Sequence, residues 1–496
     1  MHRKIPRALW IAFPLAFLSY FYRLSAVGLI GPDEPRYASI AREMARSGDW
    51  ITPRLWGEPW FEKPPLLYWM SGFAFRLGLG PELAPRLPVA LMAVAFLIFY
   101  WWILNREFGC RVAWFATLIL GTSGGWLGFS QVGVTDLPLT ATFSAAMLLA
   151  LPWIARQDSQ FLPWASALLG FAVLAKSGVP IVLALPLVWW GGKLRGGPPV
   201  PRFRFGRSWL VRLPFLIVAV PWHLLCYFRN GRIFTHTLFV QQQLQRLTSD
   251  ALQHTKPWWY YLPVLVAMLL PWSPLLLLLA RRAAFRDPRR QFLLAWVLFG
   301  LVFFSAAANK LPGYVLPLLP AVAALMALAL EETAAARYWL ASCALLLAAI
   351  LIAAAMLPSA VANGLSRAPL PVFHWVWLLP AAIAALVWVL DSQFRRVAAV
   401  LSIAAGAAAG MVYVKQTAAP ELDRVASART LWRQIAGRAD QVCADNLKRD
   451  FRYGLNYYSE APLPECATRP KPLRVVQSPG VPPTVIPPSA PIAGGG

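Results

Sequence analysis

Apolar residues in this chain run in long blocks and do not alternate with polar ones. Blocks of roughly 20 apolar residues are long enough to cross a bilayer as helices. They fall near 8–28, 85–105, 110–130, 136–155, 161–176, 178–192, 209–227, 259–280, 291–309, 311–330, 336–357, 371–390 and 395–415. The pattern predicts an all-α polytopic membrane protein with about thirteen transmembrane helices. Two polar stretches, 29–83 and 228–258, interrupt the blocks. In the first, SIAREMARSGDW (39–50) places Ile40, Met44 and Ala45 on one helical face. PPLLYWMSGFAFRLG (64–78) is apolar and amphipathic, with Tyr68 and Trp69 suited to a membrane interface. The second stretch is Gln-rich and predicts helical turns. Hydropathy drops after Lys415, and 416–478 reads as a small α/β unit. Its expected elements are a strand at QVCADN (441–446), a helix at LKRDFRYGLNYYS (447–459) and a strand at LRVVQ (473–477). The Pro- and Gly-rich end, 479–496, predicts disorder. The chain thus divides into a membrane domain at 1–415, the α/β unit and a tail.

Composition changes this picture in two ways. A length of 496 residues suits several soluble domains, but 58% hydrophobic residues and a mean hydropathy of +0.53 exclude them. The net charge of +24 raises the question of nucleic acid. The basic residues answer it by their distribution. Arg3, Lys4 and Arg7 open the chain, and Lys193, Arg195, Arg202, Arg204, Arg207 and Arg212 lie in one loop. Arg281, Arg282, Arg286, Arg289 and Arg290 lie in another, and Arg395 and Arg396 in a third. With thirteen spans all of these fall on one side, as the positive-inside rule requires of the cytoplasm, and no nucleic-acid partner is implied. The N-terminus is then cytoplasmic, and both polar stretches and the C-terminus lie outside, in the periplasm if the membrane is a bacterial inner membrane. Residues 1–22 lack a small-x-small cleavage site, so the first helix is expected to be retained. Cys110, Cys226 and Cys343 lie in or beside spans as small apolar packers. Cys443 and Cys466 lie in the outer unit, an oxidising space, and are expected to pair.

Candidate chemistry concentrates at 31–65, which carries Asp33, Glu34, Arg36, Glu43, Asp49, Glu58, Glu62 and Lys63 in a chain only 14% charged. Such a loop at a membrane surface reads as a site. The chain carries no Walker A, dinucleotide fingerprint, HExxH or CxxC pattern. An outward-facing site has no supply of nucleotide-activated donors. Group transfer there needs a donor already in the membrane, and a sugar on a polyprenyl phosphate meets that need.

GPDEPRYASIAREM followed by SGDWITPRLWGEPWFEKPPLLYW resembles the first outer loop of bacterial aminoarabinose transferases. These enzymes are similar to protein O-mannosyltransferases and have a GT-C fold. VTDLPLT (134–140), QHTKPWWYYLP (253–263) and NKLPGYVLPLLPA (309–321) match in order and spacing. The resemblance implies transfer of 4-amino-4-deoxy-L-arabinose from undecaprenyl phosphate to lipid A phosphate, with inversion at the anomeric carbon. It makes Asp33 the catalytic carboxylate and Asp136 a second one. The plainer reading of each is a helix N-cap, with Pro35 as the first helical residue after Asp33. Glu34 shares either role. Lys63 and Arg36 become donor-phosphate partners that stabilise charge on the leaving group, against a plainer reading as snorkelling cations. Lys310, Tyr314 and Arg246 are further donor-phosphate contacts. The resemblance implies Glu62 and His254 as ligands of a divalent metal, zinc being the first choice, while packing of His254 against Trp258 or Trp259 is the alternative. The short Pro-rich C-terminal region departs from the family, and it leaves protein Ser/Thr or another envelope glycan as the alternative acceptor. A transporter of lipid-linked sugar would place charges near the bilayer midplane, often in paired repeats; here they gather at one face. A structural or assembly protein would tolerate loss of Asp33.

Overall fold

The computed structural model describes residues 13–184, 205–244, 256–280, 287–478 and 481–487. Seven described helices are long and apolar enough to cross a membrane: Leu83–Phe108, Asp136–Arg156, Pro288–Ala306, Pro312–Glu332, Ala336–Asn363, Trp375–Ser392 and Arg396–Thr417. Two of them form the centre. The apolar windows of Pro312–Glu332 and Asp136–Arg156 are 94% and 89% buried. The first carries AVAALMALALEE, whose alanines let neighbouring backbones approach closely. Tyr100 donates to the Pro320 carbonyl at 2.6 Å and fastens Leu83–Phe108 to this centre. The shorter apolar helices Cys110–Gly121 and Leu162–Lys176 pack into the same bundle.

The sequence predicts one straight span at 259–280, and the structure corrects this. Trp258–Met268 and Ser273–Ala280 are bent by 117° across the break. Pro271 and Pro274 lack the N–H donors a continuous helix needs. The Leu270 carbonyl accepts instead from the Gly124 N–H at 2.8 Å, and Trp272 Nε1 donates to Thr122 at 3.0 Å. The bent pair still crosses. Tyr261 packs on Phe304, next to Tyr314, at one end of the bundle. Asp287 and Arg289 lie at the other end, where Arg289 meets Glu107. The chain between Ala280 and Asp287 reaches at most about 24 Å when extended, too little to recross a hydrocarbon core of about 30 Å.

The first helix is shorter than its apolar block. It ends at Phe21, Arg23 takes a left-handed φ of 46°, and residues 23–32 run on without helix to a bridge between Ile30 and Ser427. The polar loop then folds on itself. Its first helix, Asp33–Ser47, is stopped by Gly48 in the left-handed region at φ 73°. A two-residue turn joins β1 (Arg54–Leu55) to β2 (Glu58–Pro59), which pair antiparallel. A second loop helix spans Leu66–Arg76.

Beyond the last span lies a small unit with its own core of Leu431, Ile435, Val442, Phe451, Leu455 and Val475. Its sheet has the order β3 (Val442–Asp445), β4 (Leu473–Val476), β5 (Thr484–Ile486), with β3 and β4 parallel and β5 antiparallel to β4. The helix Arg449–Tyr458 covers it, and a disulfide joins Cys443 to Cys466. β5 corrects the expectation of disorder from 479 onward. Thr484, Val485 and Ile486 are β-branched, and they add an edge strand despite the flanking prolines.

Charged pairs separate to the two ends of the bundle. One end, away from the polar loop, holds Glu107 with Arg156 at 2.7 Å, Arg111 with Glu331 at 3.3 Å, and Arg290 with Glu332. The other carries the loop 29–83, the start of Asp136–Arg156 and the end of Leu162–Lys176. The expected ligands Arg246 and His254 lie outside the described residues.

Candidate active site

The adjacent carboxylates Asp33 and Glu34 have opposite surroundings. Glu34 is buried and fully engaged. Its two oxygens accept from Arg86 at 2.7 Å each, from the Gly133 N–H at 2.8 Å and from the Ile30 N–H at 2.9 Å. Arg86 also donates to the carbonyls of Leu24, Val27 and Gly28. Glu34 therefore pins the start of the loop to Leu83–Phe108 and to the segment leading into Asp136. It is structural, and it does not act as an N-cap.

Asp33 is the first residue of its helix, and no side chain caps that helix; the N-cap is Pro32. Its side chain is 48% exposed and pairs with Arg36 three residues on, on the same helical face. Arg36 reaches from there to Glu62 at 2.9 Å, and Lys63 lies 3.3 Å from the other Glu62 oxygen. Asp33, Arg36, Glu62 and Lys63 thus form one ladder of alternating charge. Burial acts to lower the Arg36 pKa, but the charge of Glu62, and less so that of Asp33, more than reverses this, and the guanidinium is held above its ordinary value. Arg36 bridges the two acids and does not line the apolar cavity described next, which differs from its expected place on a donor phosphate.

Asp136 likewise does not cap its helix; Thr135 occupies that position. It pairs with Lys176 at 2.7 Å. Lys176 Nζ also sits 4.9 Å from the centre of the Tyr314 ring. Gly313 makes this approach possible. A Cβ there would lie 2.6 Å from Asp136 Oδ1. Lys176 was missed from sequence because it closes an apolar block with no acid nearby. The available signal was a lone cation at the end of a span that topology directs to the loop side.

The two charged groups meet at a cavity of about 300 Å³. Glu62, Lys63, Lys176 and Tyr314 line it together with apolar Leu139, Val182, Phe303 and Phe304. Its wall suits a hydrocarbon chain, and its two lysines suit an anionic head group. Lys310 is buried and donates to the Ala307 carbonyl at 2.6 Å, so it braces the NKLPGY turn and does not line the cavity. Three carboxylates and three cations (Asp33, Glu62, Asp136; Arg36, Lys63, Lys176) leave this cluster formally neutral before any ligand arrives.

Both Glu62 oxygens face cations, so a dication there would have to displace Arg36 or Lys63. Among the described residues no group of three or more His, Cys, Asp or Glu is arranged for one.

Comparison with known proteins gives a consistent picture. The model of the dolichyl-phosphate-mannose-protein mannosyltransferase family matches residues 62–190, which include Glu62, Lys63, Asp136 and Lys176. An undecaprenyl phosphate-alpha-4-amino-4-deoxy-L-arabinose arabinosyl transferase of Pseudomonas aeruginosa is 33% identical over 344 residues, 66% of this chain and 60% of that protein. The second such transferase of Pseudomonas fluorescens is 33% identical over 329 residues, 64% of this chain and 54% of that protein. The chain thus spans less than two thirds of these curated relatives, 60% and 54%. In three dimensions the match is nearly complete. ArnT from Cupriavidus metallidurans bound to undecaprenyl phosphate superposes with a TM-score of 0.77 at 24% identity, covering 99% of this chain and 100% of that one. Its apo form gives 0.67 at 26% identity, covering 95% and 85%. The chain has the ArnT fold.

Proposed function

We propose that this chain is an inverting membrane glycosyltransferase that takes a sugar from undecaprenyl phosphate and delivers it to an envelope acceptor. The sugar of first choice is 4-amino-4-deoxy-L-arabinose, and the acceptor of first choice is a lipid A phosphate. The observation that carries the reading is an apolar cavity lined also by Lys63, Lys176 and Tyr314, with Asp136 paired to Lys176 and Asp33 joined through Arg36 to Glu62. The curated relatives of similar sequence support the choice of sugar and carrier.

In this reading the polyprenyl chain lies along Leu139, Val182, Phe303 and Phe304, and its phosphate meets Lys63 and Lys176. An acceptor phosphate oxygen attacks the anomeric carbon from the face opposite the leaving group. The carbon–oxygen bond to the polyprenyl phosphate breaks, and its electron pair goes to that phosphate. The two lysines stabilise the charge as it develops. A phosphate acceptor is already ionised and needs no strong base, so Asp33 orients the incoming group and stabilises positive charge at the sugar ring. The about thirteen spans of the hydropathy pattern, with a periplasmic site and C-terminus in a bacterial inner membrane, belong to this proposal. So does the division into a membrane domain at 1–415 and a smaller unit that follows it and includes β5.

Mass spectrometry of lipid A from cells with and without the chain tests the whole reading. A mass gain equal to one aminoarabinose supports it. Unchanged lipid A with a newly glycosylated protein turns it toward the second acceptor class, which the mannosyltransferase match favours. Sugar crossing the membrane without transfer would make the chain a transporter. Zinc on Glu62 and His254 stays a proposal with its own assay. Activity lost to a chelator and restored by zinc supports the pair, while indifference to both leaves Glu62 as the bridge between Arg36 and Lys63.

A further inference from the structure

Arg36 stands between Asp33 and Glu62, and its Nη2 pairs with both carboxylates. Its Nε is buried and has no hydrogen-bond partner among the described residues. With that nitrogen unbonded, the orientation of the guanidinium plane depends also on what packs around it. Three aromatic rings do so. Arg36 lies 5.5 Å from the centre of the Tyr37 ring, 5.7 Å from Trp60 and 5.3 Å from Tyr453. Tyr37 and Trp60 belong to the loop itself. Tyr453 comes from the helix Arg449–Tyr458 of the C-terminal unit, far away in sequence.

The loop also reaches out to Tyr453. Trp56 stacks on it with centroids 5.8 Å apart and planes at 19°. Trp56 sits at the β1–β2 turn in the left-handed region, at φ 55°, beside Gly57 at φ 86°. A bulky side chain is a costly choice for a turn that favours Asn or Asp, and it persists only where its surroundings demand it. The tyrosine helix is held in turn. Arg46 bonds both Glu460 oxygens at 2.6 and 2.8 Å, Arg42 donates to the Tyr457 carbonyl at 2.7 Å, and Tyr457 donates to the Pro81 carbonyl at 2.6 Å.

We propose that Tyr453 is a positioning residue for the transfer reaction: its ring face locks the Arg36 guanidinium, so that Asp33 and Glu62 keep their spacing. The C-terminal unit thereby completes the reaction centre. The inference rests on the transferase reading of this site, and its test is arranged to separate the two.

The test measures sugar transfer in proteoliposomes with an undecaprenyl-phosphate sugar donor. Tyr453→Ala and Tyr453→Leu are expected to lower kcat on the order of tenfold with the donor KM unchanged within about twofold. Tyr453→Phe, which keeps the ring, stays within about twofold of wild type. Tyr453→Ala adds no further loss in an Arg36→Lys background, because the two residues act through one another. Full additivity, or a Phe variant as poor as Ala, overturns the proposal. So does a normal Leu variant, since bulk alone would then suffice. Failure of the wild-type chain to transfer any sugar would sink the function and leave the positioning claim to a separate readout. That readout is the nitrogen-15 NMR signal of the Arg36 guanidinium in the full-length protein, identified by its loss in Arg36→Lys. Slow rotation in wild type and Tyr453→Phe, with fast rotation in Tyr453→Ala, supports the lock; equal rates in all three refute it.

Discussion

The two ends of the helical bundle use the same ingredients, acids set among arginines and lysines, and arrive at different outcomes. At the end away from the loop, the Glu107 side chain is 0% exposed and is surrounded by Arg106, Arg156 and Arg289. At the loop end, Asp33 keeps 48% and Asp136 19% of their side chains exposed, and each has one cation beside it. Saturated acids fasten helices. Acids that keep an open side have the capacity to meet a ligand. Neither charge density nor exposure alone distinguishes the two ends, since Glu332 is 50% exposed beside Arg290; the loop end differs in the cavity that Lys63 and Lys176 line.

The contrast can be broken at either end. The largest effect is expected for Asp33→Asn, with sugar transfer falling by about a hundredfold or more while undecaprenyl phosphate still binds. Near-normal turnover would remove Asp33 from the chemistry. Lys63→Ala is expected to cost about 2–4 kcal/mol of transition-state stabilisation, read from kcat/KM for the donor. Glu107→Gln should act on the fold, costing about 1.5–3 kcal/mol in unfolding measurements because the buried carboxylate loses its charge-assisted hydrogen bonds from the half-exposed Arg156. Its turnover per folded molecule should match wild type, and a selective loss of turnover would erase the distinction between the ends. A smaller loss, on the order of tenfold, is expected for Gly313→Ala, since the new methyl group must push the Asp136 carboxylate away from Lys176. Unchanged kinetics there would show that the pair tolerates displacement.

The smallest effect is one of pH. Glu460 is held below its ordinary value of 4.5, first by its hydrogen bond from Arg46. A lowered carboxylate contributes stability above that value and loses it as pH falls through the folded-state pKa. The side chain is 48% exposed, so the contribution stays within about 1 kcal/mol. The melting-temperature gap between wild type and Glu460→Gln should close between about pH 6 and about pH 3. A gap that persists in acid would detach Glu460 from the latch.

Much of this was legible in the residues. Hydropathy gave most of the spans, because lipid leaves a backbone little choice but helix. The loop motif drew attention to Asp33, Glu62 and Lys63, VTDLPLT to Asp136, and the cysteine positions pointed to the 443–466 link. What escaped depended on partners distant in sequence. Asp33 and Glu34 are indistinguishable in a string, and only Arg86, 52 residues later, marks Glu34 as structural. Lys176 looks like the end of a span until Asp136 is seen beside it. The bend at 269–272 escaped because a window average dilutes two prolines among many leucines, and β5 because composition masks a three-residue strand.

Glu34 has one more implication. Its hydrogen bonds root the first turn of the loop helix in the membrane bundle, and the C-terminal unit is tied to the same stretch of chain by contacts of its own, from the Gly28 N–H to Asp423 at 2.7 Å and from Tyr457 to the Pro81 carbonyl at 2.6 Å. The helix that begins at Asp33 is therefore gripped from two sides, by the bundle through Glu34 and by the C-terminal unit through Arg42 and Arg46. A displacement of either body is carried to the charged ladder along one stiff rod.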